Sequence, residues 1–332
     1  MKKSLISLIL LCVVLGIRAQ DLRFKDGKFK IVQFTDLHYK LGNPASKQAT
    51  DCMYEVVKAE NPDLIVLTGD VIYAKPGDAC LQQILNVLTD LKRPFCYLLG
   101  NHDPEQGIAV GKLYDQAAQN SFCVQPKRDG NVLDYAVPIK SGDGAKTAAV
   151  LYCMDTHAYC KMEDVGLYQW LSFDQIGGYR DWSAAFTKQN GGKPLPALMF
   201  MHYPLPEYDQ AVTSNQVPLY GIRLEKNCSP CLNSGMFTAL KEGGDVMGVF
   251  CGHDHDNDYS TMYYQVLLAY GRFSGGNTEY NHLRNGARII VLYEDQRKLD
   301  TYIRERGGRL LCPTTYPDSY TKDDWKKRDG TR

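Results

Sequence analysis

Residues 246–255, with the sequence VMGVFCGHDH, join an uninterrupted apolar run to a pair of histidines. The run has the length and composition of a buried β-strand. His253 and His255 stand two positions apart, so their side chains point the same way if the backbone stays extended and toward neighbouring positions if it turns. One such pair is weak evidence of a metal site, because a histidine at a strand end is more often a structural residue.

Four earlier stretches have the same form, an apolar run that stops at a potential metal ligand. They are residues 30–38 (KIVQFTDLH), 64–70 (LIVLTGD), 95–103 (FCYLLGNHD) and 197–202 (ALMFMH). Five of the seven histidines in the chain lie at strand ends of this kind. This clustering predicts one metal site built from several strand ends, and it is the main functional signal in the sequence.

The composition is that of a globular chain without a charge bias. The 332 residues are enough for one large domain or two small ones. The 38 basic residues are balanced by 38 acidic ones, so no basic excess indicates nucleic acid as the main partner. No repeat or linker divides the sequence, which favours one domain over residues 20–306 and a loosely packed polar tail over residues 307–332.

The N-terminus has the pattern of a secretory signal peptide. Lys2 and Lys3 precede an apolar stretch over residues 5–17, and the small residue Ala19 follows. The stretch is short for a transmembrane helix, and nothing later is apolar enough to span a bilayer. We therefore expect residues 1–19 to be removed and the protein to be exported, either to the periplasm or out of the cell.

Export implies an oxidising compartment, which bears on the ten cysteines that remain after cleavage. Cys96, Cys153 and Cys251 sit inside apolar runs, where a cysteine usually behaves as a small buried hydrophobe. Cys228 and Cys231 form a C-x-x-C in a Ser-Pro turn. A zinc site would need a second pair, so this motif predicts either a local disulfide or two free thiols.

Strands and helices alternate in the first third of the chain. Predicted strands at 29–34, 64–67 and 95–99 are separated by amphipathic helices at 46–60 and 81–91. This order is typical of right-handed βαβ units and a largely parallel sheet. Ligands of such sheets gather beyond the carboxyl ends of the strands, which is where Asp36, Asp70 and Asn101 fall.

The rest of the chain is predicted in less detail. A strand at 148–154 and a helix at 166–189 precede the strand that ends at His202. Residues 203–233 predict a long loop, which in a compact domain is usually functional or disordered. A short helix at 234–242 and antiparallel strands at 262–270, 288–293 and 299–304 complete the expected fold.

The side chains at the strand ends form a chemically coherent set. They are Asp36, His38, Asp70, Asn101, His202, His253 and His255. Two carboxylates, one amide oxygen and four imidazoles suit borderline metals such as Fe, Mn, Zn or Co rather than Ca or Mg. Seven ligands are too many for one such ion, so the set predicts two metal ions that share a carboxylate and together clamp a phosphoryl group.

The order D-x-H, G-D, G-N-H-D, a lone His and G-H-x-H resembles the calcineurin-like metallophosphoesterase family. The resemblance covers residues 28–305, and the segments 201–208, 228–235 and 270–277 are similar to the branch of purple-acid-phosphatase-29-like proteins. It implies the metallophosphatase fold, a four-layer α/β/β/α sandwich of two mixed β-sheets flanked by helices. It also implies hydrolysis of a small phosphorylated substrate.

The resemblance implies a role for each motif residue. Asp36, His38 and His255 would hold the first metal ion, and Asn101, His202 and His253 the second. Asp70 would bridge the two ions. His102 would be the catalytic residue that stabilises the phosphoryl oxygens or protonates the leaving group. Asp103 would orient His102.

Three further positions leave alternatives open. Purple acid phosphatases proper have Gly where His38 stands and a Tyr ligand three residues after the bridging Asp; Tyr73 has that spacing, but because His38 is available we favour a packing role. Arg272 suits either a phosphate or a surface ion pair. His157 follows a strand and is expected to be an ordinary loop residue.

The expected activity is hydrolysis of phosphate monoesters by a hydroxide that bridges the two metal ions. A phosphodiesterase acting on nucleotides or glycerophosphodiesters is the enzymatic alternative. The alternative outside enzymes is a metal-binding scaffold that has the fold without the chemistry. The retromer scaffold subunits of this superfamily resemble such a protein. The complete ligand set and His102 argue against the scaffold.

Overall fold

The structure is a computed structural model that describes residues 22–213 and 217–321. The predicted signal peptide and residues 322–332 of the predicted tail lie outside these ranges. In chain order, the strands are β1 (Lys28–Phe34), β2 (Leu64–Thr68), β3 (Phe95–Leu98), β4 (Tyr135–Lys140), β5 (Thr147–Cys153), β6 (Ala197–Phe200), β7 (Val246–Cys251), β8 (Ser260–Tyr263), β9 (Val266–Tyr270), β10 (Gly286–Tyr293), β11 (Leu299–Glu305) and β12 (Leu310–Tyr316). The helices are α1 (Lys47–Glu60), α2 (Gly77–Leu91), α3 (Val110–Ala118), α4 (Phe173–Gln189), α5 (Glu207–Thr213) and α6 (Met236–Gly243).

The strands form two mixed sheets of six strands each. The first sheet has the order β12-β11-β10-β1-β2-β3, and the second has the order β4-β5-β6-β7-β9-β8. In the first sheet β1, β2 and β3 are parallel, with Val32 opposite Ile65 and Ile65 opposite Phe95. In the second sheet β5, β6, β7 and β9 are parallel. Because parallel strands end at the same edge, each sheet delivers its strand-end loops to one place.

Helices cover the outer face of each sheet, and the inner faces pack on each other. Helix α1 contacts β1 and β10, α3 contacts β3, and α6 contacts β7. Phe34 of the first sheet and Phe200 and Phe250 of the second belong to one buried cluster. The helices follow from their apolar stripes, as when α2 buries Leu81, Ile84, Leu85 and Leu88. The predicted sandwich of two mixed sheets flanked by helices is confirmed.

The structure differs from the sequence-based expectation at the polar end of the chain. Strand β12 pairs antiparallel with β11, and Thr314, Tyr316 and Tyr320 are buried. The prediction of a loosely packed tail is therefore wrong for residues 310–320. The hydroxyls of Thr314 and Tyr320 lie 2.6 Å apart, so a segment of polar composition is satisfied inside the fold.

Smaller differences lie in the second half of the chain. Strand β4 was not predicted, the expected strand at 262–270 is the hairpin of β8 and β9, and the expected loop at 203–233 contains α5. Arg288 on β10 is buried between the sheets, where its guanidinium donates to the Tyr270 carbonyl at the end of β9 and to Thr301. No helix in the described ranges has the length and apolarity needed to cross a bilayer.

Candidate metal centre

The loops after β1, β2, β3, β6 and β7 bring all seven predicted ligands to one buried place. Each is at most 9% exposed. Four of them, Asp36, His38, Asp70 and His253, have positive φ angles between 43° and 76°. Non-glycine residues rarely adopt this left-handed conformation, and such strain concentrates at functional sites. The backbone is therefore bent at each of these positions to turn a ligand side chain inward.

The glycines that precede the ligands allow the loops to approach each other. A Cβ atom on Gly100 would lie 2.2 Å from Asp70 Oδ1. A Cβ atom on Gly252 would lie 1.8 Å from Thr35 Oγ1 and 2.7 Å from Asp36 Oδ2. Neither position has room for a side chain, which explains the glycine in the G-N-H and G-H-D-H motifs.

The first group of ligand atoms comprises Asp36, His38 and His255. Asp36 Oδ2 accepts hydrogen bonds from Thr35 Oγ1 at 2.6 Å and from the His253 amide at 3.0 Å, whereas Asp36 Oδ1 is buried with no hydrogen-bond partner. Oδ1 lies 3.7 Å from His255 Nε2 and 3.9 Å from His38 Nε2. A buried carboxylate oxygen without a donor is unstable by itself, so this geometry suits a cation.

The imidazoles of the first group are oriented toward that oxygen. His255 Nδ1 lies 2.7 Å from the Tyr280 carbonyl, which can only accept, so Nδ1 carries the proton and Nε2 has a free lone pair. His255 Nε2 is 3.1 Å from His38 Nε2. Burial, and the neighbouring His255 and His102, lower the pKa of His38 well below its ordinary value. Neutral imidazole is the form that binds metals.

The second group comprises Asp70, His202 and His253. His202 Nδ1 donates to the Thr68 carbonyl at 2.9 Å, which leaves Nε2 facing Asp70 Oδ2 at 3.3 Å and Asn101 Oδ1 at 3.1 Å. Burial lowers the pKa of His202, but the adjacent Asp70 carboxylate outweighs it and raises that pKa to about 10. A positive charge at this point is strongly favoured, whether a proton or a metal ion supplies it.

Asp70 lies between the two groups. Its Oδ1 accepts the His102 amide at 2.8 Å, and its Oδ2 is 3.3 Å from His202 Nε2 and 3.7 Å from His38 Nε2. Burial raises the pKa of Asp70, but His202 and His38 outweigh it, so that pKa is lowered and the carboxylate is ionised. The donor set therefore fits two cations that share one carboxylate.

His102 lies in the wall of a cavity of about 280 Å³ beside these ligands. Its ring is 5.5 Å from that of His38 and 4.8 Å from that of Tyr73. Its Nδ1 is 2.7 Å from Glu105 Oε2. The other oxygen of Glu105 accepts from the Tyr159 hydroxyl at 2.8 Å, and that hydroxyl accepts from Asn101 at 3.0 Å.

Asp103 does not orient His102, which corrects that prediction. Its carboxylate accepts the amides of Val71, Ile72 and Gly100 at 2.7–3.0 Å and so joins the loops after β2 and β3. Burial, together with the charge of Asp70, raises the pKa of Asp103 to about 7. The residue that contacts His102 is Glu105, three positions later in the first turn of a 3₁₀ helix. The spacing of three residues between His102 and Glu105 could have indicated this contact from the sequence. Nothing in the sequence around Tyr159 indicated its contact with Glu105.

The remaining cavity wall is aromatic and acidic. Besides the ligands, the lining includes Tyr73, Tyr159, Tyr168, Glu279 and Tyr280, and the described part of the lining has no Lys or Arg. Tyr73 packs edge-on against His38, with ring centroids 4.9 Å apart. Burial and a hydrogen bond to Glu279 raise the pKa of Tyr73 to about 12, which keeps its hydroxyl protonated. This geometry favours packing over metal ligation for Tyr73.

Other residues singled out in the sequence lie elsewhere or act differently. Arg272 is buried, and it pairs with Asp258 and with Glu305 Oε1 at 2.8 Å, so it is neither a phosphate ligand nor a surface residue. His157 pairs with Asp155 at 3.3 Å outside the cavity. Cys228 and Cys231 are free thiols. Cys228 lies near His253 and Asp254, but Asp254 already accepts from the Tyr270 hydroxyl at 2.6 Å.

Two mixed sheets meet at two groups of carboxylate and imidazole side chains that could each hold a metal ion, an arrangement expected of a metallophosphoesterase. The family model for calcineurin-like phosphoesterases matches residues 29–257. The chain belongs to the calcineurin-like phosphoesterase family.

Some of the similar proteins are named as phosphatases and others as probable inactive phosphatases. The chain is 30% identical to the probable inactive purple acid phosphatase 14 of Arabidopsis thaliana, over 90% of this chain and 84% of that protein. It is 29% identical to the phosphatase DCR2 of Saccharomyces cerevisiae, over 87% of this chain and 56% of that protein. A dimetal phosphatase from Danio rerio has a similar fold, with a TM-score of 0.59 at 14% identity over 86% of this chain and 98% of that one.

Proposed function

We propose that this protein is a dinuclear-metal phosphoesterase that hydrolyses phosphate monoesters. The observation that carries the proposal is the pair of side-chain groups beside one cavity that could each hold a metal ion, with Asp70 of the second group 3.7 Å from His38 of the first. Asp36, His38 and His255 would hold the first ion. Asn101, His202 and His253 would hold the second. Fe, Mn, Zn or Co suit this mixture of nitrogen and oxygen donors.

The residues around the metal centre divide the catalytic work. When bound, two such ions supply an activated water and polarise the phosphoryl oxygens. His102 would donate a proton from Nε2 to the leaving alcohol oxygen, while Glu105 holds its Nδ1. Tyr73, Tyr159 and Tyr280 would exclude bulk water from the reacting phosphoryl group and position its organic part.

Phosphodiesters are the second candidate substrate, and one observation favours them. A monoester dianion carries more charge than a diester monoanion, yet the described lining has no Lys or Arg and includes Glu279. The tyrosines of the wall could also stack on an aromatic ester group. The ratio of kcat/KM for p-nitrophenyl phosphate to that for its bis ester separates the two candidates.

The experiment that tests the proposal combines metal content with hydrolysis. The chain is loaded with each candidate metal, the bound metal is quantified by elemental analysis, and both esters are assayed before and after removal of the metal by a chelator. We expect two ions per chain and activity that chelation abolishes. No hydrolysis of either ester by a chain that holds two ions would contradict the proposal and favour the scaffold role.

We also propose that the protein is exported. The support is the basic, apolar and small-residue pattern over residues 1–19. Mass spectrometry of the protein isolated from periplasmic and culture fractions should find a mature N-terminus near Gln20. An intact Met1 on protein confined to the cytoplasm would refute this location.

A further inference from the structure

The segment 277–285 lines two separate cavities. Glu279 and Tyr280 lie in the wall of the metal cavity. Asn277 and residues 281–285 lie in the wall of a second cavity of about 670 Å³, which is completed by Gln48 and Glu55 of α1 and by Arg306 after β11. We call this second space the amide cavity. Its volume falls in the range of about 300–1,000 Å³ that is usual for small-molecule sites.

The amide cavity has one uncompensated positive charge. Arg306 is already shared between two carboxylates, with Nη2 3.2 Å from Asp51 and Nε 3.9 Å from Glu55. Arg284 is exposed, and its guanidinium has no hydrogen-bond or ion-pair partner within residues 22–213 and 217–321. An unpaired guanidinium presents a planar fork of donors that matches a carboxylate or a similar anion.

The rest of the lining suits hydroxyl groups. Gln48, Asn277, Asn281 and Asn285 place four carboxamides around the space. Asn281 Nδ2 donates to Asn277 Oδ1 at 3.2 Å, which leaves the oxygen of Asn281 and the amide group of Asn277 for a ligand. Asn285 uses its Nδ2 on the carbonyls of Gln48 and Gly275, which leaves its oxygen available. The described lining has no Phe, Tyr or Trp, in contrast to the tyrosines of the metal cavity. Its aromatic ring is the imidazole of His282, whose Nδ1 lies 2.5 Å from Asp256 Oδ2.

We propose that the amide cavity is a second binding site, which takes a small polyhydroxylated monoanion of the sugar-acid class. Arg284 binds the carboxylate, and the carboxamides bind the hydroxyls. The source can be a free uronic acid or the terminal uronate of an oligosaccharide. Both sources present the same carboxylate and hydroxyl groups to the cavity, and the binding experiment below distinguishes them.

Occupancy of the amide cavity would also stabilise the first metal group. The Tyr280 carbonyl holds His255 Nδ1 at 2.7 Å, and the Thr278 hydroxyl donates to the His38 carbonyl at 2.6 Å. Both contacts come from the segment that lines the amide cavity. A ligand that orders this segment must therefore favour retention of the metal, and metal binding must favour the ligand by the same factor.

The test measures binding of D-glucuronate, trigalacturonate and D-glucose to the metal-loaded chain by isothermal titration calorimetry. We expect at least one of the two uronates to bind, with affinity lost by tenfold or more in Arg284→Ala and kept in the surface control Arg180→Ala. The better-bound uronate identifies the free or the terminal source. D-Glucose, which lacks the charge, should bind at least tenfold more weakly.

Three results would overturn the proposal. They are no binding of either uronate, binding that is equal in Arg284→Ala, and binding that disappears in His253→Ala, which would place the ligand at the metal centre. A second readout is the rate at which a chelator removes metal. The bound uronate should slow it in the unmodified chain and leave it unchanged in Arg284→Ala, and an equal rate with and without bound uronate would refute the link to the metal.

Discussion

The two sheets supply different chemistry to the candidate metal centre. The first sheet contributes both carboxylates, the amide, His38 and His102, whereas the second contributes the imidazoles of His202, His253 and His255. The carboxylates of the first sheet are fixed by donors, such as the His102 amide on Asp70. Two imidazoles of the second are fixed by acceptors, the carbonyls of Thr68 and Tyr280. Each anchor leaves the opposite atom free to face a cation.

This division means that neither sheet forms a site alone. Asp36 and His38 of the first sheet meet His255 of the second, and Asp70 meets His202 and His253. Even the anchor of His202 is a carbonyl at the end of β2, in the other sheet. The centre therefore depends on the register between the two sheets as much as on the ligands themselves.

The bridging carboxylate is where removal should have the largest effect. Asp70→Asn keeps the shape but removes the charge that both groups share, so we expect activity to fall by roughly 10³-fold or more. Elemental analysis should find fewer than two ions per chain. The matched control is Asp245→Asn, a buried carboxylate that binds Tyr152 and Tyr179 at 2.7 and 2.6 Å far from the centre. Two ions per chain in Asp70→Asn would contradict the proposal that both metal ions share the Asp70 carboxylate.

His102 tests whether the first sheet also provides the acid. His102→Ala should lower kcat by about 10²–10⁴-fold, the range for loss of a general acid, while two ions remain bound. His157→Ala is the control, because His157 lies outside the cavity and pairs with Asp155. Loss of metal in His102→Ala, measured by elemental analysis, would show that this histidine supports the ligands instead.

Substitution of Arg272 tests how much the buried ion pairs between the sheets stabilise the fold. This side chain is buried and joins Asp258, on the side of the second sheet, to Glu305 at the end of β11. Arg272→Met would leave two buried carboxylates unpaired, and we expect a loss of about 3–5 kcal/mol in the free energy of unfolding. Arg128→Met, which removes a surface pair with Asp115, should change it far less, because the solvent screens an exposed pair. Urea denaturation compares the two, and equal losses would contradict a special role for the buried pair.

The candidate ligands could be selected from the sequence because each follows a local rule. A buried strand, a small residue and a ligand-type side chain are neighbours in the sequence, so Asp70, Asn101 and His253 need no tertiary information to be noticed. The parallel arrangement of β1, β2 and β3 follows equally from the alternation of strands and helices, whereas the antiparallel pairing of β10 with β1 does not. Strand β12 did not follow, although its partner β11 is the preceding strand, because Pro313 interrupts its short apolar run and a Lys- and Asp-rich segment comes directly after it in the sequence.

The roles of Asp103 and Glu105 show a different limit. Both are acidic residues within three positions of His102, and sequence favoured the nearer one. The helical turn directs Asp103 to backbone amides of the neighbouring loop and Glu105 to the imidazole. The direction in which each of these two side chains points depends on the local backbone angles, and the residue types alone did not specify those angles.

Glu105 is therefore the residue whose removal gives the smallest but most informative change. Glu105→Gln keeps a hydrogen-bond acceptor on His102 and removes the charge, so we expect kcat to fall by about 10-fold, with KM and metal content unchanged. If Glu105 acts only through His102, the same substitution in a His102→Ala background should have almost no effect on kcat. Glu242→Gln, on the exposed pair with Arg180, is the matched control. An undiminished 10-fold loss in the double variant would show that Glu105 acts instead through Tyr159 and Asn101, on the second group of ligands.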